Sequence, residues 1–232
     1  MLSYNRSMKK YISEGLGVFL LTLIVVCTAS YVQDPLFVSI VVAFGLAFVV
    51  MVFQHISGGH VNPAITLGNI ITKKIKPIEG LFYIIAQFAG AACATIIIAQ
   101  LDLISTAPNI STWAGFFAEM VGGIIFGLGV AAASFHKVES SKVSTVVGFS
   151  VFFGSFIPMI LFKKIVILNP AVAFGTSVVS LSVMAGPFVG ISIGYILYWL
   201  VSESKVLDML TWKKTSSSAG ACDVTVDTGS HK

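Results

Sequence analysis

An all-α membrane protein, with six transmembrane spans and two re-entrant half-helices arranged as an inverted repeat, is the fold class this sequence predicts. Three observations predict it. Hydrophobic residues make up 56% of the chain and charged residues only 10%. The apolar residues gather into six runs, each close to the roughly 20 residues that a helix needs to cross a bilayer. One short motif, Asn-Pro-Ala, occurs twice, as Asn62-Pro63-Ala64 and Asn169-Pro170-Ala171, each time between two apolar runs.

The elements follow in order. Residues 1–10 read as a short cytoplasmic lead; Lys9 and Lys10 before an apolar run imitate a secretory signal, but cleavage there would remove the first span of a repeat that needs it. Span 1 covers about 11–32 and carries Glu14; Gln33-Asp34-Pro35 separates it from span 2, about 36–54. Lys73, Lys74, Lys76 and Pro77 end the first re-entrant segment, and span 3 covers about 78–101. A polar connection with Asp102, Pro108 and Asn109 leads to span 4, about 112–135, and a charged loop over 136–142 leads to span 5, about 143–162. Lys163 and Lys164 precede the second re-entrant segment, and span 6 covers about 181–201. The channel domain is thus 11–201, with repeats over about 11–101 and 112–201, and the polar tail over 202–232 has the composition of a cytoplasmic, disordered segment.

The repeated motif reads as a helix start. Proline at the first helical position loses no hydrogen bond, and asparagine before it suits the N-cap. The apolar runs that follow, 64–71 and 171–179, are half the length of a span, so each half-helix ends near the bilayer centre. Irregular backbone at that depth is tolerated only when buried in protein or lining water, which places a cavity before each asparagine. Glu14 and Glu119, the acids inside spans, precede Asn62 and Asn169 by 48 and 50 positions, and Ala86-Gln87-Phe88-Ala89-Gly90 answers Gly186-Pro187-Phe188-Val189-Gly190. Three spans per half invert the second copy relative to the first. With both termini cytoplasmic, twelve of the fourteen Lys and Arg residues fall inside and only Lys163 and Lys164 outside, which fits the positive-inside rule.

These residues, above all His55-Ile-Ser-Gly-Gly-His-Val-Asn-Pro-Ala, resemble the aquaporin, or major intrinsic protein, family over about 11–201. The resemblance implies an aquaporin-like right-handed helix bundle, one pore per subunit of a homotetramer, and passive conduction of water. Half-helix dipoles and the Asn62 and Asn169 amides would exclude protons and ions. It also implies a ladder of pore carbonyls from Gly58, Gly59, His60 and Val61 and from Val166, Ile167 and Leu168. Glu14 and Glu119 then serve as structural acceptors for the irregular loops, against the alternative of a proton-coupling site.

The filter departs from the family pattern. Val172 stands where arginine is usual, Ala173 where glycerol channels carry aspartate, and Val183 and Met184 near the place of an aromatic typical of water channels. Counting along the pattern gives Val166 and Ile157 as further filter positions. The span-2 position is Phe44 if Ala43-Phe44-Gly45-Leu46 is matched, and Val42 by an ungapped count; Phe44 is preferred here. Lys163 or Lys164 could offset the missing arginine, or be a solvated loop pair. Small neutral solutes such as glycerol, ammonia or hydrogen peroxide therefore stand beside water as substrates, and a non-conducting junction protein or a proton-coupled transporter are the rival classes.

Other chemistry finds little support. The net charge of +4 is spread over span ends and forms no basic face, which argues against nucleic acid. His55 and His60 share a loop but lack a third metal ligand, Cys27, Cys93 and Cys222 show no ligand spacing, and no hydrolase motif is present, so no metal, cofactor or enzymatic activity is expected. Cys27 and Cys93 are expected to pack as small hydrophobes. The expected setting is a cell membrane.

Overall fold

A computed structural model describes residues 2–101, 103, 112–135 and 138–202, so the tail from 203 on and the loop residues Asp102, Pro108 and Asn109 lie outside the described residues. Among the described residues eight α-helices follow one another: α1 (Leu2–Tyr31), α2 (Pro35–Ser57), α3 (Pro63–Ile71), α4 (Pro77–Gln100), α5 (Trp113–Ser134), α6 (Val143–Phe162), α7 (Pro170–Gly175) and α8 (Leu181–Ser202). Six of them are long and apolar enough to cross a membrane, and α3 and α7 are the short pair. Helix starts carry the expected chemistry. Proline opens α2, α3, α4 and α7, and Asp34 and Thr112 cap α2 and α5 by accepting from Phe37 N and Gly115 N.

Three boundaries differ from the sequence reading. The second span runs on to Ser57, so His55 lies in the last turn of α2 and not in a loop with His60. The first helix runs on through the charged lead to Leu2, because residues such as Met8, Lys9 and Lys10 favour helix even where polarity ends the apolar run. The second half-helix stops at Gly175 although apolar residues continue to Val179. It stops because Thr176 caps it, its N–H bonding the Val172 carbonyl, and Ser177 then turns into the left-handed region at φ 60°.

The two halves pack alike. The first helix of each, α1 or α5, lies against the second and the last of its own half, α2 and α4 or α6 and α8; α2 and α6 join the halves, and each half-helix reaches across, α3 onto α8 and α7 onto α4. Glycines set the closest crossings. A methyl group at Gly90 would run into the Gly15 carbonyl, and one at Gly190 into the Met120 carbonyl, so α1–α4 and α5–α8 approach backbone to backbone. Cys27 and Cys93 are exposed rather than packed; a thiol is apolar enough to stand on an outer helix face.

Candidate functional site

The N-termini of α3 and α7 come together, and their two asparagines define the geometry between them. The Asn62 Oδ1 accepts from Ala64 N at 2.9 Å, and the Asn169 Oδ1 accepts from Ala171 N at 3.1 Å and Val172 N at 3.4 Å. Capping therefore fixes which end of each amide turns away from its own helix. The Asn62 Nδ2 donates to the Leu168 carbonyl at 2.8 Å, and the Asn169 Nδ2 donates to the Val61 carbonyl at 2.9 Å. Each NH2 group has two hydrogens, and these bonds use one. Pro63, Ala64, Pro170 and Ala171 form the buried first turns.

Those carbonyls point inward because Val61 and Leu168 adopt left-handed backbone, at φ 41° and 59°. Such a conformation costs a non-glycine residue about 1–2 kcal/mol. Two buried carboxylates hold it. Glu14 accepts from His60 N at 3.0 Å and Val61 N at 2.7 Å; Glu119 accepts from Ile167 N at 2.8 Å and Leu168 N at 2.9 Å. Glu14 also accepts from the Ser57 hydroxyl at 2.6 Å and Gln87 Nε2 at 2.7 Å.

A cavity of about 430 Å³ opens on the face where α1 and α4 begin, hereafter the N-terminal face. Gly58, Gly59 and His60 line it, whereas Val61, Val166 and Leu168 are buried and Ile167 is half-buried. Gly58 and Gly59 have φ of 95° and 65°, which glycine alone adopts readily. Lys10 and Glu79 pair at 2.7 Å on the cavity wall, and the Lys74 ammonium, also a lining group, sits 3.9 Å from the centre of the Phe135 ring. His55 lines the same cavity. Among the described residues no group of three His, Cys, Asp or Glu side chains could hold a metal ion.

Two filter positions move. On α2 the cavity is lined by Leu46, Val50 and Gln54, one turn apart; continuing that face by one turn gives Val42, which packs against the core. Phe44 is 75% exposed and shares the outer stripe with Phe37, Phe48 and Met51, so it does not face the lumen. On α6 the lining face runs through Val143 and Val147, and one-turn steps lead to Val151 and Ser155, both buried. Ile157 lies off that face, 37% exposed, one turn beyond the exposed Phe153. Counting back from Asn169 misplaced it because a count fixes distance along the chain, whereas a helix face is set by angle. Val172 is buried in the first turn of α7, Lys164 is half-buried, and Lys163 is exposed at the C-cap of α6.

Sequence reasoning missed the polar residues that surround the first loop. Tyr83 Oη donates to the Ser57 carbonyl at 2.8 Å, Gln87 Nε2 also donates to Thr66 Oγ1 at 3.0 Å, and Asn69 Nδ2 donates to Tyr195 Oη at 3.0 Å. Gln87 could have been found, since it is the polar residue within the stretch that repeats between the halves. Asn69 and Tyr195 are 126 positions apart, and no spacing rule connects them.

The family model described as "Major intrinsic protein" matches residues 1–198. Aquaporin-1 of Ovis aries is 28% identical over 200 residues, covering 78% of this chain and 73% of that protein. Glycerol uptake facilitator protein-like 6 of Lactiplantibacillus plantarum is 34% identical over 131 residues, covering 51% of this chain and 60% of that protein. The X-ray structure of the aquaglyceroporin from Plasmodium falciparum superposes with a TM-score of 0.67 at 21% identity, covering 88% of this chain and 98% of that one, a likeness of fold. With six apolar spans, two half-helices and a family match across most of its length, the chain is an integral multi-pass membrane protein and belongs to the major intrinsic protein family of small-solute channels.

Proposed function

We propose that the protein conducts water and small neutral solutes passively, through a pore that passes between Asn62 and Asn169. The observation that carries this reading is the reciprocal bond between loops, each asparagine nitrogen donating to the opposite loop's carbonyl and making no second hydrogen bond among the described residues. A permeating oxygen accepts from those amides, while the facing helix N-termini add partial positive charge that opposes cations. Carbonyls of Gly58, Gly59, His60, Val61, Val166, Ile167 and Leu168 offer acceptors along the way. No side chain changes its bonding during passage.

The outer constriction is assigned to Val42, Ser155, Val166 and Val172. Its walls are mostly apolar, so it grips a solute weakly and offers no fixed cation. This favours breadth: solutes with a hydrocarbon edge, glycerol among them, meet a surface that suits that edge, and one relative is named as a glycerol facilitator-like protein. The charge asymmetry of the loops supports cytoplasmic termini, and kinship supports a homotetramer in the plasma membrane as the working unit.

Stopped-flow shrinkage of proteoliposomes tests the proposal. Under an impermeant osmolyte, the wild type accelerates water efflux well above protein-free vesicles, and a glycerol gradient then gives its breadth. Val172→Arg narrows the apolar constriction and is expected to lower glycerol permeation about tenfold relative to water, a change equivalent to about 1.4 kcal/mol. Correctly inserted protein that accelerates neither solute would remove the channel assignment.

A further inference from the structure

The channel reading leaves one polar cluster unused, in the lumen half nearest the N-terminal face. Asn69, in the last turn of α3 and only 3% exposed, lies with Nδ2 3.2 Å from the Ile65 carbonyl, 3.3 Å from His60 Nε2 and 3.0 Å from Tyr195 Oη. The Ile65 carbonyl can only accept, so the NH2 end of the amide must face this group. Its oxygen, Oδ1, therefore turns the other way, toward the cavity that Asn69 lines, and it accepts no hydrogen bond among the described residues.

The neighbours cannot serve a solute in the same way. The Thr66 hydroxyl spends its hydrogen on the Asn62 carbonyl at 3.0 Å and accepts from Gln87, so His60 Nδ1, 3.2 Å away, must donate to it. His60 is thereby assigned the Nδ1–H tautomer, and its Nε2 faces Asn69 Nδ2, whose two hydrogens are shared among Nε2, the Ile65 carbonyl and Tyr195 Oη. Both ring nitrogens are engaged. Tyr195 Oη accepts from Asn69 and contacts the Ser134 hydroxyl at 3.3 Å, and its ring fits only because residue 68 is glycine, where a Cβ would come within 2.6 Å. Elements α3, α5 and α8 thus fix one open acceptor. The same cavity is also lined by the apolar Leu46, Val50, Phe126, Val130 and Val147.

An open acceptor in a cavity that also carries hydrocarbon side chains suits a molecule with hydroxyl donors on one edge and C–H groups on the other. We infer that Asn69, positioned by Tyr195, is a second selectivity group, for small polyols of the glycerol class, on the N-terminal side of the paired asparagines. This rests on the channel reading above. It locates discrimination away from the apolar outer constriction.

Glycerol and water permeabilities of reconstituted Asn69→Leu and Tyr195→Phe decide it. Asn69→Leu is expected to lower the glycerol-to-water ratio about tenfold with water flux within about twofold of wild type, and Tyr195→Phe about threefold, as befits loss of one hydrogen bond and loss of its support. A merely structural role would lower both fluxes together and leave the ratio unchanged, which would overturn the inference; so would a wild type that passes water but no glycerol. If Asn69→Leu does not insert, Tyr195→Phe and Asn69→Ser carry the same test, and wild-type ratios in both overturn it. A wild type that passes neither solute instead fails the channel reading itself, and this inference falls with it.

Discussion

The two re-entrant loops share a plan and differ in how firmly it is held. Each has a carboxylate from the first helix of its half, a left-handed residue before the asparagine, and a half-helix closed by threonine, Thr72 or Thr176, followed by a left-handed Lys73 or Ser177. But Glu14 accepts four hydrogen bonds and Glu119 two, α3 has nine residues and α7 six, and polar side chains flank the first loop where Val166, Val172 and Ala173 surround the second. The shared part is what irregular backbone at membrane depth demands. Every N–H there must find an acceptor, and a carboxylate satisfies two at once.

The part that differs falls on the lumen. Counted from the capping threonine, Asn69 in α3 corresponds to Ala173 in α7, whose carbonyls both accept from residues five positions on. At that position the second half has alanine where the first has asparagine, so only the half nearest the N-terminal face keeps a polar side chain there. Backbone support is duplicated; solute contacts are not.

Removing the carboxylates would break the comparison with the largest effect. Glu14→Leu orphans the Ser57 hydroxyl, two backbone N–H groups and Gln87 Nε2, at about 1–3 kcal/mol for each buried donor left unpaired. Glu119→Leu orphans two N–H groups. Unfolding in detergent, followed by tryptophan fluorescence, should therefore show Glu14→Leu losing about twice the stability that Glu119→Leu loses. Equal losses would mean that the additional donors around Glu14 contribute nothing.

What the sequence made legible divides along the same line. Spans are read from length and hydropathy, and span 5 coincides with Val143–Phe162. The half-helix starts and the two buried acids are legible because proline, asparagine and glutamate are each chemically conspicuous in an apolar run. Phe44 and Ile157 were misplaced because facing depends on helix rotation, which a motif count ignores and which the exposure of Phe37, Phe48 and Phe153 reveals. Asn69 stayed hidden for a different reason: a single polar residue in a half-helix has no meaning until Tyr195 of α8 is brought beside it.

Giving the second loop the donor it lacks would sharpen the comparison. Pro187 occupies the place in α8 that Gln87 has in α4, by the repeat of the surrounding residues, and α8 meets Glu119 closely enough that a Cβ on Gly186 would come 2.6 Å from the Glu119 Cβ. Pro187→Gln supplies an amide donor to that carboxylate and restores the helix N–H that proline lacks. A hydrogen bond to a charged group contributes about 1.5–3 kcal/mol, so the unfolding midpoint should rise, and the rise should shrink in Glu119→Leu to the part due to the restored helix N–H. An undiminished gain without Glu119 would assign all of it to removal of proline from the helix interior.

The smallest effect concerns how each loop leaves its preceding helix. Gly58 ends α2 in the left-handed region at φ 95°, and Lys163 ends α6 there at φ 51°. Glycine takes this conformation without the Cβ penalty of about 1–2 kcal/mol, part of which is returned as extra backbone freedom in the unfolded chain. Lys163→Gly should thus stabilise by about 0.5–1 kcal/mol, a small upward shift in unfolding midpoint. Lys163→Ala keeps the Cβ while removing the charge, and should leave stability unchanged. Because Lys163 is exposed and forms no ion pair among the described residues, neither variant should change water flux unless this lysine takes the place of the missing filter arginine. A change in solute or cation permeation common to both variants would give Lys163 that role; a midpoint shift confined to the glycine variant, with unchanged flux, would leave it as a helix cap on which lysine is a strained substitute for glycine.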